Sequence, residues 1–398
     1  MRTLWAAIPV AGIVVLAGCG SASDSDSASG GSKGKLVVWD WKSGDATASS
    51  YVKKAKATLL GAAMQAGKGP DVMLFNGGGQ IRDRGDSLLP LDEYVCDDKK
   101  RLAGWEAFTK DSKTYAAPVT LQGHPIYYNK SLYRKAGLDP EQPATSWDEF
   151  VANCQTITKA TGARCFTQGN KEGTGIQFLL SGLGSVLSPT EYDDWIAGKR
   201  DWSSPAVERV FSLWKEANDK GLNNDGANST AMFNDAFAGF QSSKAAHVIG
   251  LMSDTGRWTD FAEFLDAGNV GVMKSPVVTA GATPSLPYGG GIGYAVAKWT
   301  KDPKLAADLV RSLTSTDALK SVYADAGAIA ADRTVDVSSG GPAVVTIVSE
   351  LDRGKPAPHV ALSSKTVDLM GRLSQQLPSG SVTVDAAVKQ LATSDQAG

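Results

Sequence analysis

Lys35-Leu-Val-Val-Trp-Asp-Trp41 is the stretch whose reading decides the fold. Its β-branched and aromatic run predicts a strand. It ends in a polar loop, Asp40 to Asp45. Thr47 to Ala66 is Ala-rich and reads as helix. Gly67-Lys-Gly-Pro-Asp-Val72 punctuates, and Val72 to Phe75 predicts a second strand, followed by Asn76-Gly-Gly-Gly79. Strand, helix, strand is the unit of an open α/β sheet. Ligands of such sheets bind beyond the carboxyl ends of the strands. Asp40 and Trp41 after the first strand, and Asn76 and Gln80 after the second, are therefore candidate contacts. Strand alternation puts Trp39 and Trp41 on one face, so Trp41 either touches ligand or packs in the core. The glycines either admit a ligand or serve close turns. No Gly-Lys-Ser/Thr follows, so this is no P-loop.

Upstream, Arg2 precedes a mostly apolar run from Trp5 to Leu16, broken by Pro9. It is shorter than the ~20 residues a spanning helix needs. Leu16-Ala-Gly-Cys19 closes it and resembles the lipobox of bacterial lipoproteins. The resemblance implies cleavage before Cys19 and lipid on its thiol, making residues 1–18 a signal peptide. The alternative is an ordinary secretory signal with a chance cysteine. Residues 19–34 are almost wholly Ser, Gly, Ala, Asp and Lys, a composition that predicts a flexible linker. The expected location is the outer face of the cytoplasmic membrane, held by lipid.

The 398 residues suffice for two lobes with cores of their own. Net charge is -2, and removing residues 1–18 takes away only Arg2. No basic run rises above a solvated face, so no nucleic-acid partner is indicated. The three histidines, His124, His247 and His359, are isolated in sequence, and no Cys/His spacing suggests a metal. No cofactor is expected. Besides Cys19 there are Cys96, Cys154 and Cys165. One disulfide can form from three pairs. Cys154–Cys165 is preferred because it closes a short local loop, leaving Cys96 free. Three free thiols are the alternative.

Further along, Tyr115-Ala-Ala-Pro118 leads through Val119-Thr-Leu-Gln-Gly-His124 to Tyr127-Tyr-Asn-Lys130. Together with Gly69-Pro-Asp-Val72 and Trp147-Asp-Glu-Phe150, these motifs resemble extracytoplasmic solute-binding proteins of ABC importers, closest to the sugar-binding, maltose-binding type. In order and spacing the resemblance covers nearly all of residues 35–393. It implies a two-lobe α/β fold of type II. Each lobe is a mainly parallel sheet flanked by helices, with ligand in the cleft between. The expected division is 35–121 with 275–313 for lobe one, and 122–274 with 314–398 for lobe two. Gln122 and His124 then lie at the first hinge strand. The Leu251–Trp258 segment resembles the family's Gly-x-Trp region, which makes Trp258 the leading candidate to stack on a sugar, with Asp254 beside it. The Gly-rich turn Pro287–Tyr294 adds Tyr288 and Gly290.

Local patterns fill in the rest. Ser146 and Glu149 form a capping-box pattern starting a helix to about Ala160. Cys165 to Asn170 reads as a strand ending in a polar loop, where the amides of Gln168 and Asn170 suit hydroxyl partners. Trp195 lies in a polar stretch and is a further candidate contact. Val207, Val210, Phe211 and Trp214 recur at helical spacing and predict core. Ala231 to Gln241 predicts a buried helix. Val270 to Val278 is read as the return to the first lobe. Asp302-Pro303 starts a helix through Leu313.

One departure stands out. The resemblance calls for a Pro-containing turn and another strand between the first strand and Gly69, and roughly two dozen residues are absent near Lys56–Thr58, which would leave the first strand an exposed edge. The function implied is capture of a sugar or oligosaccharide by a monomer and its delivery to ABC permease subunits in the membrane, without catalysis. The alternatives are the same fold with a non-sugar solute, or a secreted glycoside hydrolase. Tyr127 and Tyr128 alternate across a strand, which disfavours a tyrosine-clustered iron site. Acidic residues such as Asp71, Asp193 and Asp194 sit in no nucleophile motif.

Overall fold

The second strand of that opening unit is the centre of the first sheet. The computed structural model of the protein describes residues 14–15, 36–40, 67–95, 97–252, 257–278, 283–351 and 355–396. The helix expected at Thr47–Ala66, the gap near Lys56–Thr58, Trp41, Asp254, Cys19, Cys96 and the linker lie outside the described residues.

The first sheet runs in the order β1-β2-β3-β13-β6: β1 is Val14–Val15, β2 Val37–Trp39, β3 Val72–Asn76, β6 Ala116–Pro118 and β13 Ile292–Val296. β2 and β3 are parallel, and Asp71 clamps them by accepting the Val37 N–H at 2.8 Å. β1 pairs antiparallel with the outer side of β2. β1 falls inside the expected signal peptide, so cleavage before Cys19 would return β2 to the edge of the sheet.

The second sheet runs β11-β8-β10-β9: β8 is Ile126–Asn129, β9 Arg164–Phe166, β10 Ala245–Ile249 and β11 Val270–Met273. Val270–Met273 thus stays with the second sheet, paired to β8, instead of returning to the first lobe. Its backbone groups are already used there, so the return begins after Met273.

Both sheets are mixed, where mainly parallel sheets were expected. Among the described pairs only β2–β3 and β9–β10 run parallel. The reason is topological. β13 enters the first sheet after a passage from the second, and it lies antiparallel to both β3 and β6.

Helices begin where local chemistry satisfies their free N–H groups. Ser146 accepts from Glu149 N at the start of Trp147–Thr161, Ser204 from Val207 N at Pro205–Asp219, and Asp302 from Leu305 N at Pro303–Leu313. The apolar face of Pro205–Asp219 buries Val207, Val210, Phe211 and Trp214. The Met232–Gln241 stretch is less buried than expected, with Phe233 40% exposed. Tyr128 packs in the large cluster of the second lobe, while Tyr127 faces the cluster shared with Leu74, Leu121 and Phe261. Alternation therefore separates the two rings. Cys154 and Cys165 are joined in a disulfide, Cα–Cα 4.9 Å, tying Trp147–Thr161 to β9.

Three stretches pass between the sheets. The first contains β7, Leu121–Gly123, and the second contains β12, Tyr288–Gly290; the two pair antiparallel. The third includes 329–331, whose backbone bonds reach Leu121 N, Met252 O and Val119 O. Among the described residues no helix is long and apolar enough to cross a membrane.

Candidate ligand-binding site

The β7–β12 ladder and the carboxyl end of β3 meet in one place. Tyr288 lies opposite Gly123 and Gly289 opposite Gln122. Asn76 donates its N–H to Gln80 Oε1 at 2.9 Å, and Gly77 N–H reaches Gly291 O at 2.8 Å. Gly78 has φ of 79°, in the left-handed region, and donates to Ala107 O. The three glycines here serve close packing of backbone on backbone. A Cβ on Gly77 would stand 2.3 Å from Gly290 O, one on Gly78 3.0 Å from His359 O, and one on Gly79 2.3 Å from Ser364 N.

A segment from Lys355 to Leu362 is pinned to both lobes. Arg82, on the helix Gly79–Arg84, donates through Nε to Val360 O at 2.8 Å. On the helix Pro189–Ile196, Tyr192 donates its hydroxyl to Pro356 O and Trp195 its Nε1–H to Pro358 O at 3.2 Å. Lys355 Nζ lies 4.7 Å from the Tyr192 ring centre. This brings His359 against His124, ring centroids 6.3 Å apart and planes at 68°. Burial pushes the pKa of His124 down to about 3, helped by His359, and that of His359 down to about 4. Both rings are neutral at ordinary pH. Glu106, in the Trp105–Phe108 turn, accepts the Gly290 N–H; burial nonetheless raises its pKa. His359 Nδ1 and Ser364 Oγ are buried without a partner among the described residues.

Of the candidates drawn from sequence, Asn76, Gln80, Gln122, His124 and Tyr288 come together in this zone. Gly290 is there too, but a Cβ on it would sit 2.3 Å from the Phe108 ring, so it faces protein and not an open cleft. Asp40 stands at the end of β2, where its Oδ2 accepts the Tyr294 hydroxyl proton.

Three further candidates are occupied by the fold itself. Asn170 is fully buried. Its Oδ1 accepts from Gly175 N and Ser374 Oγ, and its Nδ2 donates to Asn228 Oδ1 and Ser374 O. That exhausts the capacity of a primary amide and leaves nothing for a sugar hydroxyl. Trp195 is buried against Trp202, centroids 4.8 Å apart. Trp258 is 9% exposed and packs in the shared core, where Gly341 is needed because a Cβ would meet the indole at 2.9 Å. In all three, apolar or amide groups from distant segments took the surface that a ligand would need.

Sequence reasoning missed Glu106, His359 and Ser364. Each sits in a stretch without periodicity or motif. The one available signal was that His359 follows Pro356 and Pro358, a pattern that holds backbone extended for side chains to reach across.

Comparison with known proteins places this architecture. The family model described as bacterial extracellular solute-binding protein matches residues 37–320. A binding protein of Brucella abortus (strain 2308) is 31% identical over 150 residues, 36% of this chain and 34% of its own. The sn-glycerol-3-phosphate-binding periplasmic protein UgpB of Yersinia pestis is 27% identical over 138 residues, 34% of this chain and 31% of its own. The chain thus spans about a third of the length of these curated relatives. Among solved structures, a chitin oligosaccharide binding protein superposes with TM-score 0.73 at 20% identity, covering 85% of each chain. Maltose-bound MalE3 of T. maritima gives 0.69 at 21%, covering 86% of this chain and 88% of that one. A sugar transporter of Bacillus licheniformis in complex with stachyose gives 0.68 at 21%, covering 85% and 88%. At these identities the likeness is one of fold.

Proposed function

The chain belongs to the bacterial extracellular solute-binding protein family, and we propose that this member captures a sugar or oligosaccharide and delivers it to an ABC permease, with no chemistry of its own. The observation that carries the reading is the lining where the lobes meet. Amides (Gln80, Gln122), two neutral imidazoles and a half-buried tyrosine surround the β7–β12 ladder. Such groups both donate and accept, as a polyhydroxyl ligand requires. The sugars named for several structures of the same fold agree with it. Closure of the lobes needs a ligand with higher affinity for the closed form.

Thermal unfolding with a panel of mono- and oligosaccharides tests this. A ligand at a hundred times its Kd adds about 2.7 kcal/mol to stability, a clear upward shift in Tm. If sn-glycerol 3-phosphate moves Tm and no sugar does, the ligand is a phosphorylated polyol instead.

The hydrolase alternative finds little support. Asp71 is engaged by Val37 N and Thr300 Oγ1, and Asp193 and Asp194 belong to the helix Pro189–Ile196. Turnover of a chromogenic glycoside would revive it. As an exported protein, the chain is further read as a monomer tethered by lipid on Cys19. Palmitate labelling of the wild type, lost in Cys19→Ala, tests the tether.

A further inference from the structure

Two polar atoms at the meeting of the lobes, His359 Nδ1 and Ser364 Oγ, have no partner among the described residues. His359 lies with its carbonyl over Gly78, and Ser364 Oγ stands 2.8 Å from where a Gly79 Cβ would be. Ser364 opens the helix Ser364–Gln376, whose cap is Ser363, so its own hydroxyl is not spent on capping. His359 Nδ1 and Ser364 Oγ are buried and have no partner among the described residues, and the residues that carry them pack on Gly78 and Gly79 respectively. An unpaired buried polar atom carries a desolvation cost that a hydrogen-bonding ligand removes.

The charges around them are turned elsewhere. Arg82 gives its Nε–H to the Val360 carbonyl. Lys355 lies over the Tyr192 ring, and the Tyr192 hydroxyl is bound to Pro356 O. His124, from the end of the β7 passage, presents an uncharged ring. Glu106, from the turn beneath β12, is a carboxyl at the ladder, and it would repel an anion whenever ionised. Tyr288, from β12, is a phenol.

We propose that His359 and Ser364 are specificity-determining contacts that each bind a hydroxyl of an uncharged polyhydroxyl ligand and reject its phosphorylated counterpart. The proposal rests on the carbohydrate reading above and sharpens it. An imidazole nitrogen and a hydroxyl can each serve a hydroxyl as donor or acceptor. Neither can neutralise a phosphate, and of the nearby cations Arg82 spends its Nε–H on the Val360 carbonyl and Lys355 lies over the Tyr192 ring. Bound between the lobes, the ligand would also hold His359 neutral. Acidification then protonates the free protein first and weakens binding.

Isothermal titration of the full chain with the carbohydrate that raises Tm, and with sn-glycerol 3-phosphate, tests the proposal. The carbohydrate should bind and the phosphate should not. Losing one buried hydrogen bond to a ligand corresponds to about tenfold in affinity, so Ser364→Ala and His359→Phe should each weaken carbohydrate binding by about that factor or more. Ser364→Ala removes one atom from a helix start and keeps the test open should His359→Phe fail to fold. His359→Asn, which does not titrate, should retain most of the binding and lose part of the weakening that the wild type shows as pH falls through about 4. Carbohydrate affinity unchanged in Ser364→Ala and in a folded His359→Phe overturns this inference while leaving carbohydrate capture standing. Binding of the phosphate but of no carbohydrate overturns both.

Discussion

Arg101 donates through Nη1 to Asp332 Oδ2 at 2.6 Å and so closes the first lobe onto the third passage between the lobes, 231 residues away in sequence. The same guanidinium reaches Asp98 Oδ1 and the Thr314 carbonyl, each at 2.8 Å. Thr316 and Thr334 donate to the Asp332 carboxylate, which is buried. This network holds the start of Thr316–Ala326 and the 329–332 stretch against the hinge.

Asp332 titrates accordingly. Burial alone would raise its pKa, but the hydrogen bonds of Thr316, Thr334 and Arg101 outweigh burial and hold it down to about 2. A carboxyl depressed in the folded state stabilises it above its unfolded pKa, ~3.9, and that stability is lost as pH falls toward 2. Asp332→Asn should cost about 3 kcal/mol, because it leaves Arg101 partly buried beside a neutral amide. Urea unfolding near neutral pH checks the loss, and its disappearance at low pH checks the cause.

His247 is fully buried in the second lobe. Its ring is satisfied as the neutral tautomer: Nδ1–H donates to Cys165 O and Nε2 accepts the Tyr133 hydroxyl, both at 2.8 Å. Burial pushes its pKa down to about 4, against the opposing pull of the Cys165 carbonyl. A histidine lowered on folding favours the native state above its unfolded pKa, ~6.5, and stability then falls as pH drops toward 4. The slope of unfolding free energy over that window should be shallower in His247→Gln than in the wild type. Tyr133→Phe should cost about 1–3 kcal/mol by leaving Nε2 unpaired.

The Cys154–Cys165 bond closes a separation of 11 residues. A loop of that size limits the unfolded chain enough to contribute about 2–3 kcal/mol. Adding dithiothreitol should lower Tm, and Cys154→Ala/Cys165→Ala should reproduce the lower value in its absence. Equal Tm in all three states would show that the bond contributes nothing to the fold.

Gly79 is the tightest contact between the first-lobe loop and the helix Ser364–Gln376. Its missing Cβ leaves room for the Ser364 N–H at 2.3 Å and the Ser363 carbonyl carbon at 2.8 Å, both backbone that cannot swing aside. Gly79→Ala should therefore destabilise the chain by about 1–3 kcal/mol, as overpacking does. It should also weaken ligand binding beyond the loss in stability, because the same contact sets the positions of His359 and Ser364. Gly79 is not among the glycines of positive φ, so the loss in Gly79→Ala is one of packing and not of backbone strain.

What the sequence by itself determined was local. The serines at 146 and 204 and the aspartate at 302 start helices because capping involves atoms three residues apart. Alternation along Ile126–Asn129 assigns Tyr127 and Tyr128 to opposite faces whatever packs on them. The order of motifs along 35–393 was enough for the two-lobe class. What only the tertiary structure decided was which polar and aromatic groups remain for a ligand. Trp195 is spent on a carbonyl 163 residues away and Asn170 on Ser374, 204 residues away. His359 enters the site because a segment far from it in sequence is pinned by Arg82 on one lobe and Tyr192 on the other. Hydrogen-bonding capacity is finite. Whether a side chain is free to bind depends on partners that only long-range packing brings to it.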